Sequence, residues 1–585
     1  MSGITSFPRN LMTRLAHGAA RRRNSRYARK KPWGAAPTEF IFYPQNRTIG
    51  SFRKGQELLK GKVALVGYEL ELGKASLWDA VCPSPAFEER LHRFTWLDDL
   101  AAEGAPAAQK QAQEWVVEWM HRYLQGSGPG WQPYFAGSRL LRLIIHSRFL
   151  MRGMEEKMRS RLFMGLWKHI CYLSEQAMTA PAGIARTEAL TGLIHATLSL
   201  DGQDDRLTSA VADLGRECEA MVDKDGAVPT RNPEELLENF ARIVWCANAL
   251  NEAGKQADPR IPQAVGLIAP VLRNLRMGDG SLARFHGGSS GRVGHLDQAL
   301  ADSGIRATSR DAHAMGYARL GGGRVTAIMD SAPPPIGAAS VRAHASPLAI
   351  EVTSGRRTII TNTGPGAGFG AEWAKACRQT ALHSTLVIQN QPSVTISPPE
   401  TAGAPELILT APTVTLDRGS DSDGAWLEAS HNGYLARFGL LHQRKVFIAT
   451  QGQSIDGEDR IHAPDRAASN RFRKAAHAGK GIGLGVAIHF HLHPEVTVDT
   501  LPGHNAANLI LKSGEVWEFR QSGAELKVEK SAFLQPGNRA PIPSLQIVLR
   551  TRVTESDYLI NWTLFRPVQS DQALRDLVVD DPGAS

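Results

Sequence analysis

The sequence predicts an α+β protein of two large domains, a helical half followed by an antiparallel β half. Three observations predict it. Apolar residues recur at three- and four-residue steps through most of residues 87–276, as helices with one buried face require. From Arg324 to Pro567 the texture changes to short β-branched runs separated by turns. A chain of 585 residues also exceeds what one core ordinarily encloses. The expected division is a basic, disordered tail over 1–38, a helical domain over 39–320, a β-sandwich over 321–570 and a flexible C-terminus over 571–585.

The tail is the source of the chain's charge. Nine Lys or Arg and no acid fall between Arg9 and Lys31, and the remaining 58 basic residues balance the 58 acidic ones. The formal charge of +9 therefore does not describe the folded surface. A solvated arm is the simplest reading, with weak contact to nucleic acid or anionic lipid open to it through charge alone. The charge-balanced body carries no recognised nucleic-acid module, so nucleic acid is not an expected partner. No apolar run follows the basic residues as a secretory signal would require, and no run of about 18 apolar residues suits a membrane-spanning helix. The five cysteines are widely spaced, without a C-x-x-C pair, as expected of free thiols in a reducing compartment. The expected location is the cytoplasm, with the periplasm as the alternative.

In the helical half, Phe87–Gln125 shows strong periodicity. Further helical segments follow near 139–151, 155–178, 184–200, 206–221 and 260–276. Asn232 followed by Pro233 is a helix start, with an N-cap side chain and a proline at the first helical position, and that helix runs to about 252. Antiparallel helical pairs joined by short loops fit either an α/α toroid or a bundle. Met277–Gly291 is glycine-rich and polar and includes His286. It reads as a connecting loop or a substrate loop, without the lysine and spacing of a phosphate loop.

In the β half, runs such as Arg324–Met329, Thr358–Thr361, Thr385–Ile388, Ser393–Ile396, Lys445–Thr450, Gly485–His493, Glu515–Phe519, Leu545–Leu549 and Asp557–Trp562 predict an antiparallel sandwich. His344, Asn362 and His383 lie at or beside three successive strands. Two imidazoles and an oxygen brought together there would suit a divalent metal, zinc before others. His489, His491 and His493 alternate along one strand and share a face, more in keeping with structural histidines than with a site. Ser430–Tyr434 reads as a hairpin turn with polar groups at its end, His431 and Tyr434 among them, and His442 and Arg444 follow on the next strand. A helical half meeting a β half, with polar residues just past the junction, suggests a cleft between domains.

These residues resemble the heparinase II/III-like family of polysaccharide lyases. The likeness rests on Ala343–Glu351, Ile360–Gly364 and Arg378–Leu386, with Phe490–Pro494, His431–Tyr434 and Arg231–Glu234 adding to it. It implies an N-terminal α/α toroid, a C-terminal β-sandwich and β-elimination on a uronate-containing acidic polysaccharide. That chemistry needs a neutralised carboxylate, a base for the C5 proton and an acid for the leaving oxygen. The resemblance places His383 in the catalytic set, Tyr317 or Tyr134 as base and Arg342 near the substrate carboxylate. Asn232 is the neutraliser, and Arg231, His431 and Tyr434 contact substrate. The family's first β-domain element is typically His-x-His-x-Asp. Here Arg342 and Ser346 stand at its outer positions, and Asn362 stands where a metal-binding Asp is expected. These departures support the alternative of a catalytically degenerate carbohydrate-binding protein of the same fold.

Overall fold

A computed structural model describes residues 9–567, apart from 74, 308–311, 399–404, 479–482, 502 and 504. Side chains are described from residue 18 onward. The expected flexible segment 571–585 lies outside the described residues.

The N-terminal half is helical. Its long members are Pro106–Tyr123, Pro133–Ile145, Glu156–Gln176, Ile184–Ser199, Asp204–Met221, Pro233–Glu252 and Arg260–Asn274. Periodicity located most of them and the Asn232–Pro233 start located Pro233–Glu252, and all pack into one continuous core: Trp119, Leu140, Leu166, Leu190, Leu214, Phe240 and Leu272 belong to it. Ile184–Ser199 is buried almost all round and sits innermost, in contact with Pro133–Ile145, Asp204–Met221 and Pro233–Glu252. The segment expected as a solvated arm is partly structured. Arg9–Arg29 is a helix, Asn24 is buried and donates to the Gln132 side chain (3.0 Å), and Lys30 pairs with Glu175 (2.5 Å). Charge patterning could not show this, since the helix docks through Asn24 and Ala28 while Arg21, Arg22, Arg23, Arg26 and Arg29 face water. A two-stranded hairpin, Lys62–Leu65 with Tyr68–Glu71, also interrupts the helical half.

The C-terminal half holds two antiparallel sheets. One has eight strands in the order Thr497–Thr500, Ala506–Ile510, Val516–Ser522, Asp557–Phe565, Ser454–His462, Leu441–Ala449, Gly424–His431, Val414–Ser420. The other runs Glu525–Phe533, Ile542–Val553, Leu484–Leu492, Arg357–Thr361, Ile350–Ser354, Val325–Asp330, Tyr317–Gly322, His313–Ala314, with Leu386–Ile388 also paired to Leu484–Leu492. Alternating residues from both sheets, including Val446, Ile455, Ile488, Phe490, Phe519 and Trp562, fill the space between them.

Two expectations are corrected. Ser393–Ile396 forms no strand: Ser393 is held instead by the Thr380 hydroxyl, which accepts from its N–H (2.9 Å). Asn432–Gly433 is not a tight two-residue bend either. A helical turn, Leu435–Phe438, completes the connection and ends at Gly439, whose φ of +72° suits glycine. The two domains share a packed seam: Tyr317 and Ile328 of the second sheet, and Ala349 just before its strand Ile350–Ser354, belong to the helical core.

Candidate functional site at the domain seam

The seam is organised by one side chain. Arg231 precedes the helix Pro233–Glu252, and its left-handed backbone (φ +50°) turns the guanidinium across into the sandwich. There Nε donates to Met315 O (3.0 Å), Nη1 to Ala332 O (3.1 Å) and Pro333 O (2.7 Å), and Nη2 to Gly316 O (2.8 Å) and the Asp330 carboxylate (2.6 Å). All five donor directions are engaged. A Cβ at Gly316 would lie 2.7 Å from Arg231 Nε, so glycine is required there. Tyr317 completes the joint: its hydroxyl donates to Arg231 O (2.5 Å), and the guanidinium lies 4.7 Å from its ring centre.

Asp330 links this joint to a cluster of histidines. Its other oxygen accepts from the Ser346 hydroxyl (2.7 Å) and lies 3.4 Å from His286 Nε2. Burial pushes the Asp330 carboxyl up, but Arg231, His286 and Ser346 outweigh it and hold the group at about 2. His286 has a left-handed backbone too (φ +47°), and its Nδ1 accepts from the His344 N–H (3.1 Å). Its carbonyl accepts from Asn232 Nδ2 (3.1 Å), while Asn232 Oδ1 accepts from Glu235 N–H (3.1 Å) as the helix N-cap.

The hydrogen bonds assign the ring tautomers. His383 Nδ1 faces Gln379 O at 2.9 Å and must donate. Its Nε2 is then the acceptor for His344 Nδ1–H (2.9 Å), which leaves His344 Nε2 with a free lone pair. Burial holds both rings neutral. It lowers His383 to about 4, and it lowers His344 well below the usual histidine value with help from His383, His286 and Arg378. His344 Nε2 lies 3.8 Å from the Cβ position of Gly287.

The structure brings Arg231, Asn232, Tyr317, His344 and His383 to this seam, with Asn362 beside them. Several of their expected roles are corrected. Tyr317 is fully buried, and burial, against the pull of Arg231, raises its phenol well above 10, so it is not an accessible base. Arg231 has no donor left for a substrate carboxylate, and Asn232 commits one of its two N–H groups to the His286 carbonyl and its oxygen to the helix cap. Tyr134 lies in the helical domain, with Phe135 edge-on at 4.6 Å and the charges of Glu89, Arg93 and Glu188 about it. Burial raises its phenol to about 12. Arg342 is exposed at the rim; burial raises the nearby Glu235 carboxyl, and the Thr230 hydroxyl and the Arg342 charge only partly offset it.

His431 and Tyr434 are not substrate contacts. Both are buried in the sandwich, and Tyr434 donates to Leu386 O (3.0 Å). His431 Nδ1 accepts from Gly433 N–H (3.1 Å), so its Nε2–H donates to His442 Nδ1 (3.2 Å). His442 Nε2–H in turn donates to Asp459 (2.7 Å), which Arg444 and Trp562 also hold. This is an internal polar network with every member satisfied. His489 and His491 are likewise engaged by Gln546, Ser531 and Ala381.

The expected metal set does not fit a metal as arranged. His344 Nδ1 and His383 Nε2 share one proton between them. Asn362 donates to Glu351 (3.2 Å) and accepts from Ser384 N–H (3.0 Å), so its oxygen is turned to the backbone. Among the described residues no group of three or more His, Cys, Asp or Glu is placed to hold a metal ion. What sequence reasoning missed are His286 and Asp330. The Gly287–Gly288 pair beside His286 was the available signal: a Cβ at Gly288 would stand 2.6 Å from Asn232 Oδ1, so the loop approaches the helix cap closely.

Residues 304–563 match the family model for the heparinase II/III-like C-terminal domain. Over nearly its whole length the chain is similar to solved lyases. It is similar to heparinase III with a TM-score of 0.67 at 12% identity, over 97% of this chain and 93% of that one. It is similar to heparan sulfate lyase HepC from Pedobacter heparinus with a TM-score of 0.54 at 13% identity, over 95% and 89%. These likenesses show the fold, a helical toroid followed by a β-sandwich. In sequence the chain is 28% identical over 519 residues to FtsZ-localized protein C of Caulobacter vibrioides, covering 87% of each.

Proposed function

We propose that this chain, a heparinase II/III-like protein by its C-terminal domain, works by binding rather than by cleavage: a localisation or assembly protein built on a lyase fold. The observation that carries the reading is the Tyr317 hydroxyl. It is buried and donated to Arg231 O, and Arg231 has every donor engaged across the seam. Residues that a lyase would turn toward substrate serve here to bolt two domains together. The overall likeness to FtsZ-localized protein C supports the same reading. On this reading the partner is a protein, and the five free cysteines suit a cytoplasmic setting. Among the described residues no helix is long and apolar enough to cross a membrane.

A second reading has one observation in its favour. The free lone pair of His344 Nε2 lies beside Gly287, with exposed Arg342 at the rim. A neutral imidazole and a guanidinium are the minimum for proton abstraction next to a uronate. The two readings part in one experiment. Folded protein is incubated with heparan sulfate, alginate and hyaluronan, and ultraviolet absorbance of an unsaturated uronate is followed. In parallel, binding to purified FtsZ is measured by biolayer interferometry. We expect binding and no absorbance. Absorbance that disappears in His344→Ala would overturn the binding reading in favour of a uronate lyase.

A further inference from the structure

The outer face of the eight-stranded sheet carries a groove of about 540 Å³. It lies on the opposite face of the strands from His442 and Asp459, which point into the core. Its floor is aromatic. Trp426 and Phe447 are cross-strand partners, and both are half-buried. Each ring lies over a glycine: a Cβ at Gly419 would stand 2.9 Å from the Trp426 indole, and one at Gly424 would stand 2.6 Å from the Phe447 ring. Any larger residue at these outward positions would lift the rings and fill the groove.

The walls are acidic. One cross-strand row runs Asp417, Glu428, Lys445, Glu458. Asp456 stands beside Phe447 in the next row, and Asp421 closes one end. Five carboxylates thus face one lysine around two flat rings. Neighbouring strands are about 4.8 Å apart and alternate residues about 7 Å, so these carboxylates are spread over the face rather than gathered at a point. That spacing matches separate cationic side chains. It does not match a single ion, consistent with the lack of a metal-holding trio among the described residues.

We propose that this groove docks a basic, extended segment of a partner protein. Guanidinium or ammonium groups lie against Trp426 and Phe447 and pair with Glu428, Glu458 and Asp456. A ring face attracts a cation, and surrounding carboxylates raise the local concentration of one. The same carboxylates repel a uronate polymer, so the groove is not a subsite for the polysaccharide that the fold suggests. The inference names a partner chemistry for the binding reading and rests on it. The two fail separately, because FtsZ binding is measured on its own.

The test uses the full chain and fluorescein-labelled hexa-arginine, followed by fluorescence anisotropy. Hexa-citrulline, its neutral analogue, is the control. We expect hexa-arginine to bind and hexa-citrulline not to. Affinity should fall at least tenfold in Glu428→Gln/Glu458→Gln and at least fivefold in Trp426→Ala. The Gln pair keeps side-chain volume on an exposed face, so it remains informative should Trp426→Ala unfold. Equal affinity in the Gln pair, or no binding by the unaltered chain, would overturn the proposal. So would chitohexaose bound where hexa-arginine is not, which would assign the groove to a neutral glycan.

Discussion

Arg231 of the helical domain places its guanidinium 2.6 Å from the Asp330 carboxylate of the sandwich, and both side chains are buried. A buried pair loses most when one partner is removed, because the other charge is stranded away from water. Arg231→Met should therefore cost about 3–5 kcal/mol in chemical denaturation. Arg231→Met/Asp330→Asn should recover part of that loss. If the double variant is no more stable than the single one, the carboxylate is not the stranded group.

Tyr317 tests the same seam from the other side. Tyr317→Phe keeps the ring against Phe285 and removes only the donor to Arg231 O. An unsatisfied buried carbonyl should cost about 1–3 kcal/mol. The partner binding proposed above should survive, since the hydroxyl is inaccessible. A base would behave otherwise: were the second reading correct with Tyr317 as its base, the variant would keep its stability and lose turnover.

The reach of the sequence is plain at this seam. Helix positions were legible because a helix burying one face writes a 3.6-residue period, and Asn232 was legible as a cap because the residue before a helical proline has a narrow set of jobs. Many strands were legible by β-branching, but Val414–Ser420, Ser454–His462 and Glu525–Phe533, whose outward positions are polar or charged, were not, and at Ser393–Ile396 a valine and an isoleucine meet no partner strand. Side-chain direction was not legible. Tyr317 and Arg231 have the chemistry of catalysis, and only the fold shows that each is turned onto the other. His431 and Tyr434 failed for the same reason: strand alternation puts His431 on the core face, and Tyr434, in the turn after that strand, points inward onto Leu386 O. Asp330 was invisible because it closes an apolar run, and a lone acid there resembles a strand end.

The neutral histidines set an acid limit. His383 is held at about 4 and His491 at about 3, in both cases first by burial, whereas an unfolded chain protonates them near 6.5. Between those values the unfolded state takes up protons that the folded state refuses. The stability these rings contribute is complete above about pH 6.5 and is lost as pH falls toward 4. His383 alone should cost about 3 kcal/mol across that window. Asp330, held at about 2, adds its loss only below about pH 4. The urea midpoint measured at pH 7.5, 6 and 5 should fall at each step. A flat profile would mean that the rings are charged in the folded protein.

Zinc should do nothing at the histidine pair. His344 Nε2 alone offers a single ligand; the His344–His383 hydrogen bond must break before His383 Nε2 can coordinate, and the Asn362 oxygen is committed to Ser384. Melting temperature should be the same with added zinc and with EDTA. A rise with zinc that His383→Ala abolishes would show that the pair opens to take a metal.

Asn232 does two jobs that substitution can separate. Its oxygen caps the helix Pro233–Glu252, and its nitrogen holds the His286 carbonyl, which fixes the loop that presents His286 to the His344 backbone. Asn232→Asp keeps a cap acceptor and loses the donor; Asn232→Ala loses both. Cap loss alone costs about 1 kcal/mol. Asn232→Ala should thus be the less stable of the two by about that amount. Hydrogen exchange should separate them further. In Asn232→Asp the loop 284–291 should exchange faster while the first turn of the helix stays protected. In Asn232→Ala both should exchange faster. If Asn232→Asp leaves the loop as protected as the unaltered chain, the left-handed backbone of His286 is held by its contacts with His344 and Asp330, and Asn232 serves the helix alone.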